Sequence, residues 1–287
     1  MKKILMLAAA IMMVGCEKMV LDEETQTETQ EKTKMFTFTM KGDFENQTFT
    51  RGYLSDADNL LTDLWVFDYV DGECVQSLHQ TDDATNWGEP SMSLTYGTHH
   101  IYFVASRGLD PELDEANTKI TFSSVRDSYW KDYEVTVVST SNGNRAVTLD
   151  RVVTKLKITA EDEVPAGTAE LIITPATWYY GINYTNGEPT DARSNVERPI
   201  SVPSSYAGTE GQLSASIFSF SSANQWTTNV SVVAKNDHDV TIGEVAISNA
   251  PFKRNRATEY SGSLFGTSGS MTVAVNEDWL TPYTGTW

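Results

Sequence analysis

The sequence predicts an all-β protein built as two tandem antiparallel β-sandwiches. Short runs rich in Val, Ile, Thr and aromatic residues recur along the chain, separated by Gly, Asn, Asp and Pro turns. No segment keeps its apolar residues at the helical period long enough to cover a parallel sheet. The strand set is complete by Leu149 and starts again after Asp150. At 287 residues, 40% hydrophobic and 10% aromatic, the chain has ample material for a packed core. The formal charge of -18 and pI near 4.5 exclude a nucleic-acid-binding body, which needs a clustered basic footprint.

The first residues do not belong to the fold. Lys2 and Lys3 precede an apolar run from Ile4 to Val14, the n-region and h-region of a secretory signal peptide over residues 1–15. The run is too short to span a bilayer. Met13-Val14-Gly15-Cys16 is similar to a bacterial lipobox, in which the thiol of the Cys is acylated before cleavage. A plain signal peptide that happens to hold a cysteine is the other reading. Two or three acyl chains on Cys16 would give a stable anchor, at roughly 0.8 kcal/mol per buried methylene. Cys74 would then be the one remaining thiol, so no internal disulfide is expected, and it reads as a small core residue on a strand. Residues 16–34 are dominated by Glu, Thr, Gln and Lys and form a flexible acidic tether, because they cannot bury enough apolar surface to offset the entropy of ordering.

The body begins at residue 35. Phe36, Phe38 and Met40 alternate with Thr37, Thr39 and Lys41, the period-two pattern of a half-buried strand. A loop containing Arg51 and Gly52 follows. Leu64 to Tyr69 and Glu73 to Leu78 read as a hairpin across Asp71-Gly72. Ser91 to Thr95 and His100 to Ser106 read as a pair across Tyr96-Gly97-Thr98, and Glu134 to Ser139 and Arg145 to Leu149 as a pair across Ser141 to Asn144. Leu109 to Lys131 is less regular, with a loop or short helix at Asp110-Pro111. These strands define an N-terminal sandwich over residues 35–149. The C-terminal sandwich, residues 150–287, has runs at Val152 to Ala160, Ala169 to Thr174, Trp178 to Tyr184, Leu213 to Phe220, Val230 to Lys235, Val240 to Ser248, Ala257 to Phe265 and Met271 to Val275. The polar stretch from Gly187 to Gln212 reads as its longest loop.

Little in the chain points to catalysis. There is no nucleophile elbow, zincin motif, P-loop or dinucleotide fingerprint. Carboxylates are abundant, but no spacing singles out a pair for glycoside hydrolysis. His99 and His100 are adjacent on a strand and point to opposite faces, so they cannot share a metal. The acidic turns around Asp71 and Asp237 lack the spacing of a calcium loop. No enzyme, metal or cofactor is expected.

Several motifs along nearly the whole mature chain are similar to those of the type V fimbrillins of Bacteroidales, the subunits of lipoprotein-derived pili. They are Leu64 to Gly72 (LWVFDYVDG), Leu94 to Gly108 (LTYGTHHIYFVASRG), Arg151 to Ile158 (RVVTKLKI), and the closing Phe252 to Phe265 (FKRNRATEYSGSLF) with Met271 to Trp279 (MTVAVNEDW) and a tail ending in Trp287. The resemblance implies two transthyretin-like Greek-key sandwiches. It also implies a pathway. A lipoprotein precursor passes through the lipoprotein export machinery to the outer membrane surface, where a trypsin-like maturation protease cuts after a basic residue. The first strand leaves, and the vacated groove takes a strand from another fimbrial subunit. Asp22, Glu23 and Glu24 resemble the acidic patch that helps send lipoproteins of this phylum outward.

On that resemblance, residues 35–51 are a removable first strand filled by Phe36, Phe38 and Met40. Arg51 and Gly52 flank the cut, with Lys34, Lys41 and Arg107 as rivals. The donor strand lies near the C-terminus, among Met271, Val273, Val275 and Trp287. Partners are other fimbrial subunits, the protease, the export machinery and a host or bacterial surface ligand. Two alternatives stay open: a non-polymerising anchor or accessory fimbrial lipoprotein, and a surface glycan-binding lipoprotein using Trp87, Trp178 with Tyr179 and Tyr180, or Trp226 as stacking platforms.

Overall fold

A computed structural model describes residues 32–42, 61–265 and 270–276. The chain is all-β and sandwich-like, as expected; the described residues include two short 3-10 turns, Glu115–Asn117 and Ser204–Tyr206. The N-terminal half contains β1 (Thr33–Gly42), β2 (Asp63–Val70), β3 (Glu73–Thr81), β4 (Ser91–Thr95), β5 (Gly97–Ser106), β6 (Glu112–Asp114), β7 (Lys119–Thr121), β8 (Ser128–Val137) and β9 (Asn144–Arg151). The C-terminal half contains β10 (Val153–Ala160), β11 (Thr168–Pro175), β12 (Trp178–Asn183), β13 (Pro189–Arg193), β14 (Arg198–Ser201), β15 (Ser214–Phe220), β16 (Trp226–Asn236), β17 (Thr241–Phe252), β18 (Ala257–Ser263) and β19 (Ser270–Asn276).

Seven strands of the first half run in the order β3-β2-β5-β8-β9-β1-β4. This order folds back on itself, because β8 and β9 pair only at Tyr129↔Arg151 and Trp130↔Asp150. The result is a front layer, β3-β2-β5-β8, over a back layer, β9-β1-β4. Between them lies a core of Phe36, Phe38 and Met40 with Leu64, Val66, Ile101, Phe103, Val135, Val147 and Leu149. The expected hairpin of β2 and β3 is present, with Asp71 and Gly72 both at positive φ, as a tight turn of this kind requires.

The other two expected hairpins are absent. β4 and β5 are adjacent in sequence but lie in opposite layers, and β8 and β9 part after two residue pairs. In each case the strand that loses its expected partner, β4 or β9, pairs instead with β1. A short connection cannot reveal from sequence that a strand from far upstream will take the place of the near neighbour.

The second half repeats the plan. β14-β11-β16-β17 is the front layer and β15-β10-β18-β19 the back layer. Its core runs through Leu156, Ile158, Leu171, Ile173, Ile217, Val232 and Tyr260 and continues onto the outer face of β2 and β5, where Trp65, Phe67 and Val104 are buried. Leu64 to Phe67 is therefore an unbroken apolar run because both its faces are covered. A fourth sheet, β13-β12-β7-β6, takes strands from both sides of residue 150. The stretch from Gly187 to Gln212 corrects an expectation: it is not all loop but carries β13 and β14. Cys74 is also not a core residue. It is exposed on β3, the outermost front strand, just where the register slips between Asp68 and Tyr69 and re-aims the side chains.

Candidate functional site: the first strand and its slot

β1 is a central strand although the chain enters through it. It pairs antiparallel with β4 from Thr33↔Thr95 to Thr37↔Ser91, and parallel with β9 from Thr37↔Asn144 to Gly42↔Leu149. Beyond the end of β4 the Phe38 and Met40 N–H groups donate to the carbonyls of Pro90 and Gly88, both at 3.0 Å. On the other edge the Thr37 N–H donates to the Gly143 carbonyl at 2.7 Å. Gly143 has to be glycine, since a Cβ there would collide with the Met35 carbonyl oxygen.

Phe36, Phe38 and Met40 are 0%, 0% and 2% exposed, so the whole inward row is core. The Phe38 ring meets Phe103 edge-on at 5.3 Å and Tyr133 at 6.1 Å. Burial of the three side chains stabilises the half by about 5 to 9 kcal/mol as an upper bound, at roughly 1.5 to 3 each. On the outward row Thr37 Oγ1 and Ser91 Oγ are 2.8 Å apart, and near the start of the strand Lys34 Nζ donates to the Ser139 carbonyl at 3.0 Å. The Arg145 guanidinium lies 5.2 Å from the centre of the Phe36 ring.

A polar clasp sits at the end of the slot where β1 enters. His99 Nδ1 is 2.7 Å from Asp68 Oδ1, and its Nε2 donates to the Thr95 carbonyl at 3.0 Å, so front-layer β2 and β5 are tied to back-layer β4. Both side chains are almost fully buried. Burial pushes the Asp68 carboxyl above its ordinary value, against the opposing pull of His99. The pair was legible only as an Asp and a His at core-facing positions of two apolar strands.

At the other end of the chain, β19 pairs, among the described residues, with β18 alone. Met271 is half-buried and Val273 is 51% exposed, so the apolar row of this strand is poorly covered. The turn that leads into it is pinned. The Asp162 carboxylate accepts the Ser263 hydroxyl at 2.8 Å and the N–H groups of Leu264 and Phe265 at 3.0 and 2.6 Å. Burial raises the Asp162 carboxyl, but these hydrogen bonds outweigh it and hold the group below its ordinary value.

The expected site residues are thus divided. Phe36, Phe38 and Met40 converge in one slot, and Met271, Val273 and Val275 share one strand of the other half. Cys16, Arg51, Gly52 and Trp287 lie outside the described residues. Of the rival basic residues, Lys34 and Lys41 sit within paired β1 and Arg107 directly after β5, with its guanidinium 6.0 Å from the Phe218 ring. The aromatic residues considered as sugar platforms are mostly core: Trp178 and Tyr180 are buried, and Trp226 packs on Trp178 and Phe252. Among the described residues no group of His, Cys, Asp and Glu is placed to hold a metal ion.

Among the solved structures that share the fold are three from Bacteroides. They are a candidate adhesin from Bacteroides ovatus (11% identity, TM-score 0.50, 83% of this chain and 88% of that one) and a candidate adhesin from Bacteroides thetaiotaomicron (13%, 0.50, 85% and 96%). The third is a candidate polysaccharide-binding protein from Bacteroides thetaiotaomicron (10%, 0.50, 84% and 95%). No curated protein matches the sequence. Residues 112–286 match a family described as a family of unknown function, DUF6562. The chain belongs to the DUF6562 family.

Proposed function

We propose that this protein is a structural subunit of a surface fimbria of the type V kind, exported as a lipoprotein acylated at Cys16 and held at the outer membrane until a trypsin-like protease cuts between Arg51 and Gly52. β1 then leaves the N-terminal sandwich (residues 35–149), and the slot between β4 and β9 receives a strand from the C-terminal sandwich (residues 150–287) of another subunit. The role is structural and adhesive rather than catalytic, and the similarity to candidate adhesins of the same fold supports it. The observation that carries the reading is the place of β1: a central strand joined to the body only through residues 43–62, so that one cut in that stretch frees it. A slot emptied of Phe36, Phe38 and Met40 exposes apolar surface and two strand edges, which a donor strand covers. Such head-to-tail contacts do not close, so they build filaments.

The Arg51→Ala chain tests this in cells. Loss of surface polymer with accumulation of full-length lipoprotein is the expected result. Surface assembly unchanged by the substitution would favour the anchor or accessory reading instead. A glycan-binding role finds support in the candidate polysaccharide-binding neighbour; binding on a glycan array by the full chain, lost on Trp87→Ala, would establish it.

A further inference from the structure

Asparagine precedes glycine twice in this chain, at Asn142-Gly143 and at Asn186-Gly187. With no Cβ to shield it, a glycine nitrogen can close onto the side-chain amide of the asparagine before it. In both places the asparagine is exposed and its Oδ1 accepts the N–H two residues on, from Asn144 at 3.0 Å and from Glu188 at 2.9 Å. That bond polarises the side-chain carbonyl and meets the oxygen on which negative charge gathers when the amide is attacked. The attacking nitrogens differ. The Gly187 N–H donates to the Asn183 carbonyl at 2.8 Å, the Gly187 carbonyl is held by the Arg254 guanidinium, and the residue is buried at a φ of 70°. Gly143 is half-buried, and among the described residues its N–H has no hydrogen-bond acceptor.

We propose that Asn142 is a site of spontaneous covalent modification, in which Gly143 N closes on Asn142 Cγ and water opens the ring to an aspartyl or an isoaspartyl residue, and that the isoaspartyl form loosens β1 in its slot. Solvent base takes the Gly143 N–H proton as the N–Cγ bond forms. The Cγ–Nδ2 bond then breaks, and the amide nitrogen leaves as ammonia. Water, the one co-reactant, cleaves the five-membered imide at either of two bonds. Breaking N–Cγ leaves Asp; breaking the original peptide bond leaves a main chain that runs through Cβ and Cγ, one carbon longer. The extra carbon falls where the slot has no slack. Gly143 lies so close to β1 that a Cβ on it would collide with the Met35 carbonyl oxygen, and its own carbonyl accepts the Thr37 N–H at 2.7 Å. Thr37 is the residue at which β1 passes from its pairing with β4 to its pairing with β9. A longer main chain at Gly143 therefore displaces the contact where the two pairings meet. This goes beyond the reading above, because it concerns β1 in place and does not depend on a protease.

The test ages the full chain at mildly alkaline pH and follows the peptides that span Asn142 and Asn186 by mass spectrometry, with electron-transfer fragmentation to tell aspartyl from isoaspartyl. Asn142 should convert about fivefold faster than Asn186, the factor set by the one backbone hydrogen bond that must break before Gly187 N can attack. Equal rates, or a faster Asn186, overturn the site. Amide hydrogen exchange reads the consequence. Phe36 to Met40 should exchange faster in the aged chain than in the same chain before ageing, and should be unchanged in an Asn142→Gln chain aged alongside it. The fresh Asn142→Asp chain carries the new charge without the extra carbon and should keep β1 protected. Exchange in β1 that ageing leaves unchanged, or that fresh Asn142→Asp matches, overturns the loosening. Conversion at Asn142 in a chain that trypsin does not cut at Arg51 removes the earlier reading alone. A chain that is cut and polymerises while Asn142 stays an amide removes this proposal alone.

Discussion

β1 and β10 occupy the same place in the two halves of the molecule. Each is the first strand of its sandwich, antiparallel to one back-layer neighbour and parallel to the other. Their covalent ties differ. A single residue, Val152, separates β9 from β10, and residues 161–167 carry the chain from β10 to β11. β1 is the first of the described strands and is followed by residues 43–62, nearly three times as long a connection. Lengthening a loop costs little, about 0.6 kcal/mol per doubling, so the difference says little about stability. It says much about topology: freeing β10 takes two cuts that sever the body, whereas one cut within residues 43–62 separates β1 from the other described strands.

Substitutions in the two inward rows sharpen this contrast. Phe38 corresponds to Leu156 by the registers of the parallel pairs, and both are fully buried. Phe38→Ala should destabilise the uncut chain by about 3 to 5 kcal/mol and Leu156→Ala by about 2 to 5 in urea unfolding. After cleavage and assembly only the Leu156→Ala defect should persist, because the other side chain has left with its strand.

The short loop after β10 offers the next effect. Asp162→Asn removes a carboxylate that holds the β18 to β19 turn, and a loss of about 1 to 2 kcal/mol at neutral pH is expected. Since the folded Asp162 carboxyl lies below its ordinary value, its contribution is full above the unfolded pKa and is lost as pH falls through the folded one. Thermal melts of the two chains should therefore diverge at pH 7 and converge once the pH has fallen below the folded pKa of Asp162, with wild type losing the advantage. The smallest expected change is that of Arg145→Ala. It removes the cation over Phe36 and should cost about 0.5 to 1 kcal/mol before cleavage and nothing after it.

Strand identity was legible because the inward rows alternate. Phe36, Phe38 and Met40 announce themselves in the sequence, as do the runs that became β10 and β18, whereas β2 reads from its unbroken apolar run. Partnership was not legible. β4 precedes and β9 follows a short turn that suits a hairpin, yet each lies in the layer opposite its sequence neighbour, and only the three-dimensional insertion of β1 explains why. Asp162 was hidden for a related reason: a carboxylate in a loop gives no sign that its hydrogen-bond donors lie a hundred residues downstream. Cys74 misled because alternation assigns a face only while the register holds, and it slips beside that residue.

Limited trypsin digestion of the folded, full-length chain tests the central claim most directly, with N-terminal sequencing of the large product and its size followed by chromatography. A single early cut giving a new N-terminus at Gly52, loss of the β1 peptide from the body, and growth into oligomers is the predicted course. A chain that resists cleavage there, or one that is cut and stays monomeric with its slot empty, would contradict the account.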